Sequence, residues 1–344
     1  MSVRDSPALA TKTCADSYYS PVPEFGSVTT PATDERDPVG GDERDRAGDG
    51  SDPTLGSPTG AGEDATPAFR QELVASVRAS DLAVLLAVPV LLLAIFTLPE
   101  STRRSLAFAY ADPTAVTAFT AHYVHLDVGH LAGNVAGYAL LAGVGYALAV
   151  LGDSRRFFLT ALATFLLVFP FVLSALNLAV PRDAIGFGFS GINMALAGLL
   201  PLLLGTYARE RFHVEGSVRA LPAVFFALVG WIALLALPVS TSGLGLAGLV
   251  TGVASGLLAV LYASAANLSL RASARDLARA VTSRPGEGDL FVVGAVLVVG
   301  YPVGGFPGDP TGPGSVVNLY VHLLGFCLAF IGPFALLATG AFAE

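Results

Sequence analysis

Residues 186–205 read GFGFSGINMALAGLLPLLLG, and no charged residue stands between Asp183 and Arg209. An uncharged apolar run of about 20 residues is what a helix needs to cross roughly 30 Å of hydrocarbon. The segment therefore predicts a membrane-crossing helix, entered through a glycine-rich loop. Working outward in both directions, similar stretches recur at 82–98, 130–151, 157–180, 190–208, 220–238, 244–268, 290–303 and 316–342. The seventh is the weakest, being short and holding Gly294, Gly300 and Pro302. Among the 344 residues hydrophobic types make up 53% and charged ones 13%, so a pair of soluble domains is excluded. The expected fold class is an all-α polytopic membrane protein of about eight transmembrane helices, occupying residues 80–342.

Residues 1–68 are different. They are rich in Asp, Gly, Pro, Ser and Thr and lack apolar periodicity, which predicts a disordered acidic tail. No apolar run follows the first residues, so this segment does not read as a signal peptide. The formal net charge of -8 lies within residues 1–65, and the remainder is neutral in sum. No basic stripe exists to neutralise phosphates, which excludes nucleic acid as a partner. Cys14 and Cys327 are the only cysteines, too few for a disulfide framework or a thiolate zinc site. One Lys against 18 Arg, together with the acidic tail, points to a salt-loving organism.

If all eight stretches cross, the loops alternate sides and the arginines sort between them. Eleven of the fourteen Arg residues beyond the tail fall on one side, and only Arg103, Arg104 and Arg182 on the other. The positive-inside rule makes the first side cytoplasmic, with both termini inside and the chain multi-pass in the plasma membrane. His122, His125 and His130, in AHYVHLDVGHLAGN at 121–134, then lie at the outer end of the second span. His130 and Asn134 are one helical turn apart on one face. His322 lies one to two turns inside the outer end of the last span, and His213 lies in a cytoplasmic loop. A histidine at a helix end is ordinarily an interfacial cap, and Ser190, between Gly188 and Gly191, is ordinarily an N-cap. A nucleophilic reading of Ser190 draws on three features: accessible backbone, the unpaired N–H groups and positive dipole of a helix N-terminus, and a histidine at similar depth.

With these residues in place, the sequence resembles the rhomboid family of intramembrane serine proteases, of haloarchaeal type. The resemblance covers residues 80–340 and is carried by HLDVGHLAGN at 125–134, GFSG at 188–191 and HLLGFCLA at 322–329. It implies a rhomboid-like bundle, six core helices plus two. Ser190 would be the nucleophile and His322 the general base and then acid. His130 and Asn134, with the backbone at Ser190 and Gly188, would hold the oxyanion and the substrate. His125 and Met194 would support the site. Implied partners are membrane protein substrates within the lipid bilayer, cleaved by a serine endopeptidase with no cofactor and no metal.

The sequence also departs from the family. The Trp-Arg that often precedes the first His motif is Val116 and Thr117 here, and Met194 stands where an aromatic ring often packs on the base. The interval from Ser190 to His322 is long enough for two additional spans. Within it, Gly248, Gly252 and Gly256 imitate the close-packing helix that normally carries the base, and the matching position is Gly245. Either two spans are inserted and His322 is the base, or the base is lost and the chain is an inactive relative that binds membrane clients. His322 is preferred because it has the motif, the side and no rival histidine in a later span. A transporter is the remaining class, but the spans carry few charges and show no inverted repeat.

Overall fold

The computed structural model describes residues 65–180, 182–237, 243–266, 270–309, 311–312 and 315–342. The predicted tail lies outside the described residues up to 64, and its last residues enter the first helix. The elements in chain order are α1 (Ala65–Ser76), α2 (Ala79–Phe96), α3 (Glu100–Ser105), β1 (Phe108–Ala109) and α4 (Ala115–Thr120). A 3-10 turn at Ala121–Tyr123 leads to α5 (Val128–Leu151), α6 (Arg155–Leu167), α7 (Phe169–Asn177) and β2 (Ile185–Gly186). Then follow α8 (Ser190–Phe212), α9 (Leu221–Ala236), α10 (Gly243–Ala265), α11 (Leu270–Ser283) and α12 (Glu287–Gly305). The chain closes with the two-residue strands β3 (Thr311–Gly312) and β4 (Ser315–Val316) and with α13 (Leu319–Ala338).

The protein is all-helical, and α2, α5, α8, α10, α12 and α13 are six helices long and apolar enough to cross a membrane. Two of the eight predicted spans take other forms. The third is broken into α6 and α7, bent by 49°, and counted as one span it brings the total to seven. The break has a covalent cause: Pro170 sits in the first turn of α7, where it has no N–H to continue the ladder from α6. The fifth, α9, has only 16 residues and is short for a crossing. The seventh, weakest in sequence, is α12, a full-length candidate despite its Pro302.

Helix α8 is the axis of the bundle, and every residue from Gly191 to Ala208 on it is buried. It is enclosed by α5, α12 and above all α13. Association of helices in hydrocarbon relies on close packing, because leaving lipid for protein gains an apolar side chain little. Glycines make that approach possible here. A Cβ on Gly198 would overlap the Phe326 carbonyl oxygen, and one on Gly325 would overlap the Gly191 carbonyl oxygen. The register rises together along both chains, with Gly191 against Val321 and Gly198 against Phe326, so α8 and α13 run parallel with their N-termini level.

The glycine repeat of α10 serves a different neighbour. Gly252 packs on Leu234 of α9, a Cβ on Gly230 of α9 would lie 3.3 Å from the Gly252 carbonyl oxygen, and Gly256 has open space around it. Helix α10 packs chiefly on α9, and both stand to one side of α8.

The end of the bundle away from Ser190 is tied by charge. Asp81, 3% exposed, receives two hydrogen bonds of 2.5 Å from Arg155 and one of 2.7 Å from the Tyr146 hydroxyl. Arg211, at the C-terminal end of α8, pairs with Glu72 of α1 and with Glu287 of α12. These pairs join helices that are far apart in sequence at one level of the bundle.

Adding volume at the α8–α13 contact forces backbones apart. We expect Gly198→Val to destabilise the protein by about 1–3 kcal/mol or more. Gly256→Val, placed in open space, should leave the melting midpoint in detergent within about a degree of the parent. Equal midpoints for the two variants would contradict this packing.

Candidate active site

Ser190 is the first residue of α8, preceded by Phe189 in helical geometry, and it is half-buried. The loop before it is shaped by Gly188, whose φ of +108° is a conformation that residues with a Cβ rarely adopt. Space demands glycine there as well: a Cβ would sit 2.5 Å from Cε1 and 2.8 Å from Nε2 of His130. The imidazole of His130 therefore lies directly against the backbone that leads into Ser190. The Gly188 N–H donates to the Ala121 carbonyl at 2.9 Å, and β1 pairs with β2, so the loop is held on both flanks.

Behind this loop is a buried polar network. The side chain of Asp127 caps α5 by accepting the His130 N–H at 2.9 Å, which sets the start of the helix that carries His130 and Asn134. His125, 1% exposed, receives at Nε2 a hydrogen bond from Asn134 Nδ2 at 2.9 Å and a longer one from the Phe189 N–H at 3.4 Å. Asn193 Nδ2 donates to the Asn134 carbonyl at 2.9 Å. One amide hydrogen of Asn134 is thus engaged by His125, and the second remains for another acceptor. The backbone N–H of Ser190 carries no hydrogen bond among the described residues, as expected for the first turn of a helix.

His322 is 5% exposed and lies in the first turn of α13, whose N-cap Asn318 accepts the Val321 N–H at 3.2 Å. Its Nδ1 is 2.6 Å from the Gly305 carbonyl oxygen at the end of α12. The ring is flanked by Phe306, edge-on with centroids 5.9 Å apart, and Met194 of α8 fills the space beside Gly305. Among the described residues no hydrogen bond joins His322 to Ser190. Catalytic hydrogen bonds are often long in unliganded sites and tighten with substrate. The structure thus places Ser190, Gly188, His130 and Asn134 around one loop, and Met194 beside His322 on the facing helix. Gly245 lies on α10, which packs chiefly on α9.

Three functional features escape a reading of the sequence. Arg103 of α3 donates to the His125 carbonyl at 2.6 Å, so an arginine does pin the loop that lacks Trp-Arg. His122 Nε2 is 3.1 Å from Ser174 Oγ, which itself donates to the Ala118 carbonyl at 2.8 Å, fastening the loop to α7. Gly305 and Phe306 bring the end of α12 to His322. Arg103 had a sequence signal as one of the few arginines on its side, and His122 as one of three outer histidines; Gly305 and Phe306 had none. A cavity of 530 Å³ is lined by Tyr110, Ala111, Leu178, Val180, Arg182 and Asp183. Among the described residues no group of three His, Cys, Asp or Glu is placed to hold a metal ion. Comparisons with family models, with curated proteins and with solved structures find no match, so the rhomboid resemblance is carried by the three motifs.

The two loop histidines are held neutral. Burial brings His122 down to about 4, and burial with the nearby charge of His130 brings His125 down to about 3. An unfolded chain takes up protons at these positions below about pH 6.5 while the folded one refuses them. Their stabilising contribution is complete above that pH and is lost as pH falls toward 4. The melting midpoint should be level from about pH 7 to 8 and drop steadily from about 6.5 to 4, with a shallower drop in His122→Gln. A midpoint that stays level down to pH 4 would contradict burial of neutral imidazoles.

Proposed function

We propose that this chain is a rhomboid-type intramembrane serine endopeptidase, cleaving transmembrane or membrane-proximal segments of other membrane proteins by a Ser190–His322 dyad. The observation that carries this reading is the parallel contact of α8 and α13. It sets the N-terminal turn bearing Ser190 level with the turn bearing His322, at the end where His130 lies on Gly188. The core is then α2, α5, the α6–α7 pair, α8, α12 and α13. The inserted pair is α9 and α10, which pack chiefly on each other. With α9 crossing as the eighth span, the arginine distribution directs this end of the bundle outward, with both termini in the cytoplasm.

In this mechanism the Ser190 hydroxyl attacks the scissile carbonyl carbon as its proton passes to Nε2 of His322. The negative oxygen of the tetrahedral intermediate is met by the free Ser190 N–H, at the positive end of α8, and by the His130 and Asn134 side chains. His322 returns the proton to the leaving amine, and water then releases the acyl group by the same steps in reverse. His125 holds Asn134 and the Phe189 backbone, a positioning role.

The lack of a hydrogen bond between Ser190 and His322 favours a second reading, an inactive relative that binds membrane clients. One experiment separates the two. Purified protein in proteoliposomes is given a generic transmembrane substrate and, separately, a fluorophosphonate probe. Cleavage and labelling are expected, and Ser190→Ala or His322→Ala should lower both by roughly 10³-fold or more. His130→Ala and Asn134→Ala should each cost about 10²–10³ in kcat. Cleavage that persists in Ser190→Ala overturns the protease reading, and absence of both signals in the parent protein establishes the second.

A further inference from the structure

We propose that the C-terminal end of α12 is the third member of this site, the Gly305 carbonyl holding and electrostatically supporting His322 as a carboxylate does in a catalytic triad. The inference rests on the protease reading above and assigns a partner to its base. The dyad itself implies no such group.

Helix α12 ends at Gly305. The last four carbonyls of a helix have no intrahelical donor, and they carry the negative end of its dipole. The helix cannot continue: the Phe306 N–H makes the last i→i−4 bond, to the Pro302 carbonyl at 2.8 Å, Phe306 itself leaves helical geometry (φ −127°, ψ 62°), and Pro307 after it has no N–H to offer. The free Gly305 carbonyl is directed instead at Nδ1 of His322, 2.6 Å away. A carbonyl only accepts, so Nδ1 carries the proton and Nε2 keeps its lone pair, the tautomer a base acting on Ser190 requires. When Nε2 takes up the serine proton, the positive charge forms beside the negative helix end, whose dipoles are already oriented.

The local sequence is built for this approach. A Cβ on Gly305 would overlap the Met194 methyl group and lie 3.9 Å from His322 Nδ1, so glycine lets the backbone come close. The Phe306 ring closes the other side of the imidazole. Through space, the titratable group acting on His322 is His130 of α5, and no carboxylate acts on it among the described residues. Gly305 is a positioning residue in this scheme, since it touches the base and not the substrate.

The test weakens the carbonyl without changing a side chain. Replacing Phe306 by phenyllactate in the full-length protein converts the Gly305 carbonyl from amide to ester, a poorer acceptor. That change also removes the Phe306 N–H, so the control is glycolate in place of Gly304, which removes one helical N–H and weakens the Val303 carbonyl instead. The expected result is a fall in kcat of about tenfold with KM unchanged, and an acid limb of the pH–rate profile displaced to lower pH by about one unit. The control should stay within about twofold of the parent. Equal losses in the two esters, or an acid limb that does not move, overturn the assignment. Ser190→Ala and His322→Gln run alongside: if they still cleave, the protease reading falls and this inference with it. If they are inactive and the ester is indistinguishable from its control, only the inference falls. A readout independent of activity is the ¹⁵N spectrum of His322, assigned by its loss in His322→Gln. A proton on Nδ1 supports the proposal, and a proton on Nε2 in the unliganded protein overturns it.

Discussion

Helices α8 and α13 meet backbone to backbone, with the Gly191 carbonyl under Gly325 and the Phe326 carbonyl under Gly198. Polar and apolar solvents reward such contacts differently. In water, burying large side chains would dominate; in hydrocarbon, dispersion between closely approached small residues carries more of the association. A parallel contact of this tightness fixes the relative height of the two helices to a fraction of a turn. The level of Ser190 against His322 depends on it, and so does the groove in which α12 reaches the site. Tyr301 of α12 shows how deep that helix lies: a Cβ on Gly137 of α5 would be 2.5 Å from its hydroxyl.

The two ends of the bundle are held by different chemistry. Away from Ser190, ion pairs join helices through Asp81 and Arg155 and through Arg211 with Glu72 and Glu287. Around Ser190 no ion pair joins the helices among the described residues; the ties are hydrogen bonds, His125 accepting from Asn134, His122 with Ser174, and the single charges of Arg103 and Asp127 each bonded to backbone. To these the N-terminal end of α8 and the C-terminal end of α12 add oriented dipoles.

Much of this was readable from residue types, because lipid penalises polar groups and so makes them conspicuous. Ser190, His130, Asn134 and His322 stand out in apolar runs, and helical periodicity assigns them to helix ends. The limits of the reading are physical too. Hydropathy averages over a window, so it could not separate α6 from α7 at Pro170, nor show that α9 stops short at Ala236. The glycine repeat of α10 imitates the close-packing helix that normally carries the base, yet small residues specify close approach without naming the neighbour, and that neighbour is α9. Gly305 carried no signal at all. Its contribution is a main-chain carbonyl, which every residue possesses and only the end of a helix sets free.

The separation of Ser190 and His322 along the chain also has a consequence in time. At about 5–20 residues per second, synthesis reaches His322 roughly ten seconds after Ser190. During that interval α8, the most enclosed helix of the finished molecule, has no α13 against Gly191 and Gly198. A nascent chain therefore carries the serine without the histidine. A product cut off before Leu319 would contain five of the six long apolar helices and lack the face of α13 that packs on Gly191 and Gly198.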